Sequence, residues 1–330
     1  AAPAEPGSPD PANGHAEGAL AKEAEKPDEA PEAQVSEESS AADAAPASPG
    51  AEDGETAAAE KTAASEAPAI LEKTESDVLV SIVLPAYNQV AYTYACIRSI
   101  IENTDYEETP YEVILADDVS TDATKDIGRF IKGLVISRSE ENQGFLKNCN
   151  RAAKLARGRY IFFLNNDTKV TKGWLKSLTD MMEVDESIGL CGSKLVYPDG
   201  RLQEAGGIIW SDASGWNYGR MDDPEKPEYN YVKDVDYISG AAIMIRRSLW
   251  EEIGGFDERY APAYCEDSDL CFEVRKHGKR VVYQPKSVVV HFEGISNGTD
   301  VEGSGLKRYQ KINNEKFREK WAEELKLQQE

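Results

Sequence analysis

From Val78 onward the sequence predicts an α/β fold with a mostly parallel central sheet and helices on both faces. Short apolar runs alternate with amphipathic stretches as β-α-β-α-β-α-β between residues 78 and 164, and strands joined that way lie parallel with right-handed crossovers. The run Tyr160-Ile161-Phe162-Phe163-Leu164 is apolar at every position, as in a strand covered on both faces. Asp117-Asp118 and Asn165-Asn166-Asp167 follow two of the strands, at the carboxyl edge where an open α/β sheet binds its ligand.

Val78–Leu84 reads as a strand stopped by Pro85-Ala86-Tyr87-Asn88, and Val90–Ile101 spaces Ala91, Tyr94, Ala95, Ile97 and Ile101 as a helix does. Tyr111–Ala116 is the second strand, Thr121-Asp122-Ala123-Thr124 starts a helix near 122–131, and Gly133–Ser137 is the third strand. A helix near 145–156, capped by Gly158, leads into the strand 160–164. A helix near 172–183 carries Trp174, Leu175, Leu178, Met181 and Met182 as a core stripe, and Ile188–Gly192 is the next strand. Residues 195–236 are irregular, with a turn at Pro198-Asp199-Gly200 and a hairpin arm over Leu202–Trp210. Tyr237–Ile245 is apolar, and Arg247–Ile253 is a short helix closed by Gly254-Gly255. Glu266–Lys276 is a helix ended by His277-Gly278, while Arg280–Tyr283 and Val288–His291 are two strands. The Lys/Glu-rich end, residues 301–330, spaces Tyr309, Ile312, Phe317, Trp321 and Leu325 as an amphipathic helical tail that packs on the body or meets another domain.

Residues 1–76 differ in kind. They hold no Phe, Tyr, Trp or Arg and carry 18 acidic residues against 4 lysines. Such an Ala/Glu/Pro-rich segment has too little apolar surface to offset chain entropy, so a disordered acidic linker or tail is expected. Residues 77–300 are enough for one α/β domain with a full core. Beyond residue 76 there are 42 acidic and 33 basic residues, a net of −9, which argues against general nucleic-acid binding. Five cysteines without a C-x-x-C pair read as reduced, buried thiols of a cytoplasmic protein. No apolar run reaches the length of a membrane-spanning helix, and no signal peptide is visible. Beginning at Ala1 rather than Met, the chain is expected to be a piece of a longer protein with further domains.

Three acidic clusters end three elements: Asp117-Asp118, Asp167, and Glu266-Asp267-Ser268-Asp269. Collected at one sheet edge, they suggest nucleotide, metal and acid–base work together. One carboxylate beside two amides, as in Asn165-Asn166-Asp167, suits a hard cation and a phosphate or sugar hydroxyl, and is equally ordinary Asx-turn chemistry. Neither G-x-G-x-x-G nor G-x-x-x-x-G-K-[ST] is present, which speaks against a dinucleotide dehydrogenase or a P-loop enzyme. With no G-x-S-x-G and only His277 and His291 past residue 76, Ser/His/Asp hydrolysis is poorly supported. Trp210, Trp216 and Tyr218 are either a platform for sugar faces or anchors of an irregular loop.

Seven stretches follow one another across residues 79–294: Val83-Leu84-Pro85-Ala86-Tyr87-Asn88; Asp117-Asp118-Val119-Ser120-Thr121-Asp122; Asn142-Gln143-Gly144-Phe145 with Asn150; Phe163-Leu164-Asn165-Asn166-Asp167; Gly254-Gly255-Phe256-Asp257-Glu258; Glu266-Asp267-Ser268-Asp269-Leu270; and His291-Phe292-Glu293-Gly294. In that order they resemble the family 2 glycosyltransferases, inverting enzymes with the GT-A-type nucleotide-diphospho-sugar transferase fold. The resemblance leaves out residues 1–76 and the tail.

The resemblance implies a role for each motif. Pro85, Tyr87 and Asn88 would border the nucleotide base, and Asp117 and Asp118 would contact the base and ribose. Asn142, Gly144, Asn150, Asn165 and Asn166 would complete the donor site. Asp167, with His291, would hold Mg²⁺ or Mn²⁺ at the diphosphate, although Asn165 stands where the family usually has the first Asp of D-x-D. Asp267 would be the general base, with Glu266 and Asp269 beside it to orient it or raise its pKa, and Trp210, Trp216 and Tyr218 would meet the acceptor. The Asn-Asn-Asp-Thr and Ser239-Gly240-Ala241-Ala242 runs resemble rhamnosyltransferase-type members, so dTDP-rhamnose is the first expected donor and UDP-sugars the next. The expected acceptor is a glycan or lipid-linked glycan in bacterial surface polysaccharide assembly, with the protein at or near the inner face of the membrane. The competing reading is a catalytically silent nucleotide-sugar or glycan-binding module of a larger assembly protein. A nucleotidyltransferase lacks support, since no Gly/Arg-rich loop follows the first strand.

Overall fold

The apolar runs become strands of one mostly parallel sheet. A computed structural model describes residues 78–294 and 308–329; the expected disorder of residues 1–76 lies outside the described residues. The chain runs β1 (Val80–Ala86), α1 (Val90–Asn103), β2 (Tyr111–Asp117), β3 (Val135–Arg138), α2 (Gly144–Ala153), β4 (Tyr160–Leu164), β5 (Thr168–Val170), α3 (Trp174–Val184) and β6 (Ile188–Val196). It continues through β7 (Leu202–Glu204), β8 (Gly207–Ile209), β9 (Gly215–Asn217), β10 (Lys233–Asp234), β11 (Ala242–Arg246), α4 (Arg247–Ile253), α5 (Glu266–Lys276), β12 (Arg280–His291), α6 (Tyr309–Lys320) and α7 (Ala322–Leu325).

The main sheet has the order β10-β12-β6-β11-β4-β1-β2-β3, with β5 on β12 and β7 on β6. Strands β3, β2, β1 and β4 pair in parallel, as do β6 and β12, whereas β11 is antiparallel to both β4 and β6. The single reversed central strand has a direct consequence for the site. The start of β11, preceded by Ser239–Ala241, arrives at the same edge as the carboxyl ends of β1, β2, β4, β6 and β12.

Alternation along β4 explains the two cores. Tyr160, Phe162 and Leu164 belong to the apolar layer under α1 and α3, and Ile161 and Phe163 to the layer under α2, α4, α5 and the tail. All five are fully buried. The tail packs as its spacing requires: Phe317, Trp321 and Leu325 join the second layer, with Phe272 edge-on to Phe317 at 5.0 Å.

Several expectations are corrected. The helix near 122–131 is a 3-10 segment, Ala123–Arg129, capped by Asp122. Gly128 lies within it and weakens the α-helical preference there. Gly158 does not cap α2, which ends at Ala153. Instead it passes against β1, where a Cβ would lie 2.7 Å from the Ser81 backbone nitrogen. Within the apolar stretch 237–245, residues 237–241 are loop and β11 begins at Ala242. The two strands expected over 280–291 are one, β12, whose pairing with β6 slips between Gln284 and Val288. That bulge absorbs Pro285, which has no N–H for the ladder. The hairpin arm over 202–210 divides: β7 pairs with β6, and β8 pairs with β9 as a separate ribbon. No described helix is long and apolar enough to cross a membrane. All five cysteines are free thiols.

Candidate active site

The strand ends open into one cleft of about 1270 Å³. One end is walled by Pro85, Tyr87 and Asp118, with Asn142 and Gly144 beside them. Asn165, Asn166, Asp167 and His291 form the middle, and Glu266 and Asp267 the far side. The β8–β9 ribbon carries Trp216 into the cleft, and α6 adds Lys311 and Asn314.

Backbone strain concentrates around this cleft. Asn88, Gln89, Val119, Tyr264, Cys265 and Glu293 adopt the left-handed conformation, with φ of 57°, 62°, 59°, 78°, 72° and 41°. Each such residue costs about 1–3 kcal/mol and persists where the surroundings over-determine it, typically at functional sites. Val119, β-branched, is the least suited to it.

At the first end, carboxylates organise loops. Asp117 is ion-paired to Arg138 and accepts the Ser120 N–H at 2.9 Å. Asp118 accepts the Gln143 and Gly144 N–H groups at 2.9 Å each, so it anchors the amino end of α2, where negative charge complements the helix dipole. Gly144 permits this with φ 76° and no Cβ; one would lie 2.7 Å from Pro262 Cβ. The Asn88 side-chain oxygen accepts the Thr121 and Asp122 N–H groups at 2.8 and 3.2 Å, tying the β1 loop to the β2 loop.

In the middle, β4 and β12 bring Asp167 and His291 together, with Nε2 3.3 Å from the carboxylate. The other imidazole nitrogen meets Gln203 Oε1 at 3.1 Å, a partner that fixes the ring's orientation. Asn166 donates to Thr93 Oγ1 at 3.0 Å. Among the described residues, no group of three or more His, Cys, Asp and Glu side chains gathers as a metal site. Asp167 and His291 therefore stand as a pair.

At the far side, Asp267 opens α5. Its Oδ2 accepts the Gly240 N–H at 2.9 Å and its Oδ1 the Ser268 N–H at 2.7 Å. Burial raises its pKa, and those two N–H groups oppose the rise. Burial, with the Asp267 charge second, pushes Glu266 up to about 8. Glu204, on β7, is 1% exposed and reaches about 8 for the same first reason. Its Oε1 accepts the Ser239 N–H at 3.0 Å. Consecutive amides of the turn before β11 thus hold two carboxyl groups.

Sequence reasoning missed Gln203 and Glu204, because a polar pair in a three-residue strand after a turn carries no burial signal. Other expected site residues lie off the cleft wall. Asp269 is the main correction. It accepts from Tyr260 and Trp321 at 2.9 and 2.7 Å and pairs with Lys320 at 2.8 Å, so it joins α5 to the tail. Asn150 spends both ends of its amide on the Phe256 backbone, at 2.8 and 2.9 Å. Trp210 stands edge-on behind Trp216 with ring centres 5.2 Å apart. Tyr218 packs on Tyr229 and lines a separate depression with Lys233.

Known proteins share this chain's sequence and architecture. An O-antigen biosynthesis protein of Myxococcus xanthus is 27% identical over 232 residues, 67% of this chain and 18% of that protein. An N-acetylglucosaminyl-diphospho-decaprenol L-rhamnosyltransferase of Mycobacterium tuberculosis is 27% identical over 224 residues, 58% of this chain and 70% of that protein. Among solved structures, GalNAc-T7 with UDP, GalNAc and Mn²⁺ shares the fold with a TM-score of 0.60 at 17% identity, covering 76% of this chain and 50% of that one. The chain thus spans under a fifth of the length of one such relative and half of another. Residues 81–254 match the model of glycosyl transferase family 2, and the chain belongs to that family.

Proposed function

We propose that the chain is an inverting glycosyltransferase that moves a sugar from a nucleotide-diphosphate donor to a hydroxyl of a glycan acceptor. The observation that carries this reading is a single cleft joining Pro85, Tyr87 and Asp118 to Asp167–His291 and on to Asp267. The nucleoside lies at the first end and the diphosphate in the middle. The transferred sugar faces Asp267, whose carboxylate takes the acceptor hydroxyl's proton as the oxygen attacks the anomeric carbon. Attack opposite the departing diphosphate inverts that carbon. A carboxylate with a raised pKa is the better proton acceptor near neutrality, and two backbone N–H groups hold its direction. Asp117, Asn88 and Asn150 act here by fixing loops.

Asp167 and His291, a carboxylate and an imidazole 3.3 Å apart, are the residues that would hold a divalent ion, Mg²⁺ or Mn²⁺. Such an ion supplies charge neutralisation for the leaving diphosphate. A rhamnose donor, dTDP-rhamnose first, is supported by the name of the mycobacterial relative, and a role in bacterial surface polysaccharide assembly by the name of the myxococcal one; UDP-sugars are the next donors to test.

The test is donor turnover with Mn²⁺ across dTDP-rhamnose and UDP-sugars, for wild type and Asp267→Asn. Turnover by wild type, lowered about 10²–10⁴-fold in Asp267→Asn with nucleotide affinity kept, supports the reading. One observation favours a second reading: among the described residues, only two conventional ligands stand at the metal corner. A silent binding module would bind nucleotide and turn over no donor in either form.

A further inference from the structure

The segment on either side of Asp267 is held from α6. The base sits at the start of α5, directly after Tyr264 and Cys265, both left-handed. A loop so strained needs an outside hold. Asn313 of α6, 0% exposed, supplies one. Its Nδ2 donates to the carbonyls of Tyr260, Ala263 and Tyr264 at 2.6, 2.8 and 3.1 Å. An amide nitrogen has two hydrogens, so at least one is shared between two of the three carbonyls, and the loop is held at one point. Lys316 adds a bond to the Arg259 carbonyl at 2.6 Å.

The next turns of the tail hold the other flank. Lys320 reaches Asp269 at 2.8 Å, Glu273 at 2.9 Å and Asp257 at 3.1 Å, and Trp321 donates to Asp269 at 2.7 Å. Asp257 lies before the loop, and Asp269 and Glu273 lie on α5. The side chains at 313, 316 and 320 form one stripe, since residues three and four apart share a helix face. The same helix presents Asn314 to the cleft. The match to the family ends at residue 254, short of both the loop and the tail.

We propose that α6 is a positioning clamp for the general base, with Asn313 as the residue that sets the loop ahead of Asp267. This rests on Asp267 being the base. Asn313 touches no reacting atom and acts through the loop.

The experiment compares Asn313→Ala and Asn313→Asp with wild type in the full chain. Asn313→Asp keeps the shape and turns the donating nitrogen into an acceptor facing carbonyls, so it carries the test if the alanine variant does not fold. Two readouts are taken: amide hydrogen exchange, and hydrolysis of dTDP-rhamnose and UDP-N-acetylglucosamine with Mn²⁺. Exchange over residues 261–268 is expected to rise at least tenfold while β1, β2 and β4 keep their protection. The hydrolytic kcat is expected to fall at least tenfold with donor KM within twofold. Unchanged exchange over 261–268 overturns the clamp. So does faster exchange with an unchanged kcat, or a KM that rises in step with the loss of kcat. If wild type turns over neither donor, or Asp267→Asn turns them over as fast as wild type, the transferase reading fails instead. The exchange data then still decide whether Asn313 holds the loop.

Discussion

Asp118 is both a wall of the cleft and the anchor of α2, and the two roles are separable by measurement. Removing a side chain that satisfies the first N–H groups of a helix costs about 0.5–2 kcal/mol. Asp118→Ala is therefore expected to lower Tm by a few degrees, read by calorimetry. Asp118→Asn retains an acceptor for one of the two amides and is expected to recover part of that loss. If Asp118 also meets the nucleoside, nucleotide affinity falls in both variants, beyond what stability accounts for. Glu204 and Glu266 give a pH signature. Their folded pKa values, about 8, lie above the ordinary glutamate value of 4.5, so the folded protein holds protons that the unfolded chain releases between those limits. Stability from this source is complete below about pH 4.5 and is lost as pH rises through about 8. Tm is expected to decline across that window, and Glu204→Gln to flatten the decline, in melts taken at half-unit steps. At this scale the sequence made the position of Asp267 and Asp167 on the cleft wall legible, because strand ends and helix starts mark the ligand edge. It misplaced Asp269 for a geometric reason: two residues on along a helix is about 200° around the axis, away from the face that Asp267 presents.

Elements with a long, consistent period were readable, and those defined by a partner were not. The run at β4 is apolar throughout because both faces are covered, and no other neighbour needs to be known to see it. Phe163 shows what that burial contributes. Its ring lies 4.8 Å from Trp250 and 5.0 Å from Phe256, and Phe163→Ala is expected to cost about 3–5 kcal/mol in denaturant unfolding, with an unchanged m-value. By contrast β7, β8 and β9 are three residues each, and their existence depends on pairing that no local pattern encodes. The direction of β11 is of the same kind. An apolar five-residue strand does not announce that it runs antiparallel, yet that reversal brings the Ser239-Gly240 amides to Glu204 and Asp267.

For the whole molecule, the two ends of the chain contrast, and composition and packing give opposite expectations for removing them. Residues 1–76 contain no aromatic side chain, so their deletion is expected to leave the unfolding free energy of the remaining chain within the spread of neutral surface changes, about ±0.5 kcal/mol. Ending the chain at residue 307 removes Phe317, Trp321 and Leu325, which are 1%, 1% and 3% exposed. Fully burying a large apolar side chain is worth about 1.5–3 kcal/mol. The same cut takes Lys320 from Asp269, which is 2% exposed, and stripping one partner from a buried ion pair costs about 3–5 kcal/mol. Together these losses are comparable with the 5–15 kcal/mol by which a typical domain is stable. The truncated chain is therefore expected to be largely unfolded at 37 °C, with lost near-ultraviolet dichroism and a midpoint in urea shifted far toward zero. Replacing Asp269 by Asn in the truncated chain removes the stranded charge and is expected to return part of the midpoint. A truncated chain that keeps the wild-type midpoint would show that the tail contributes nothing to the core it covers.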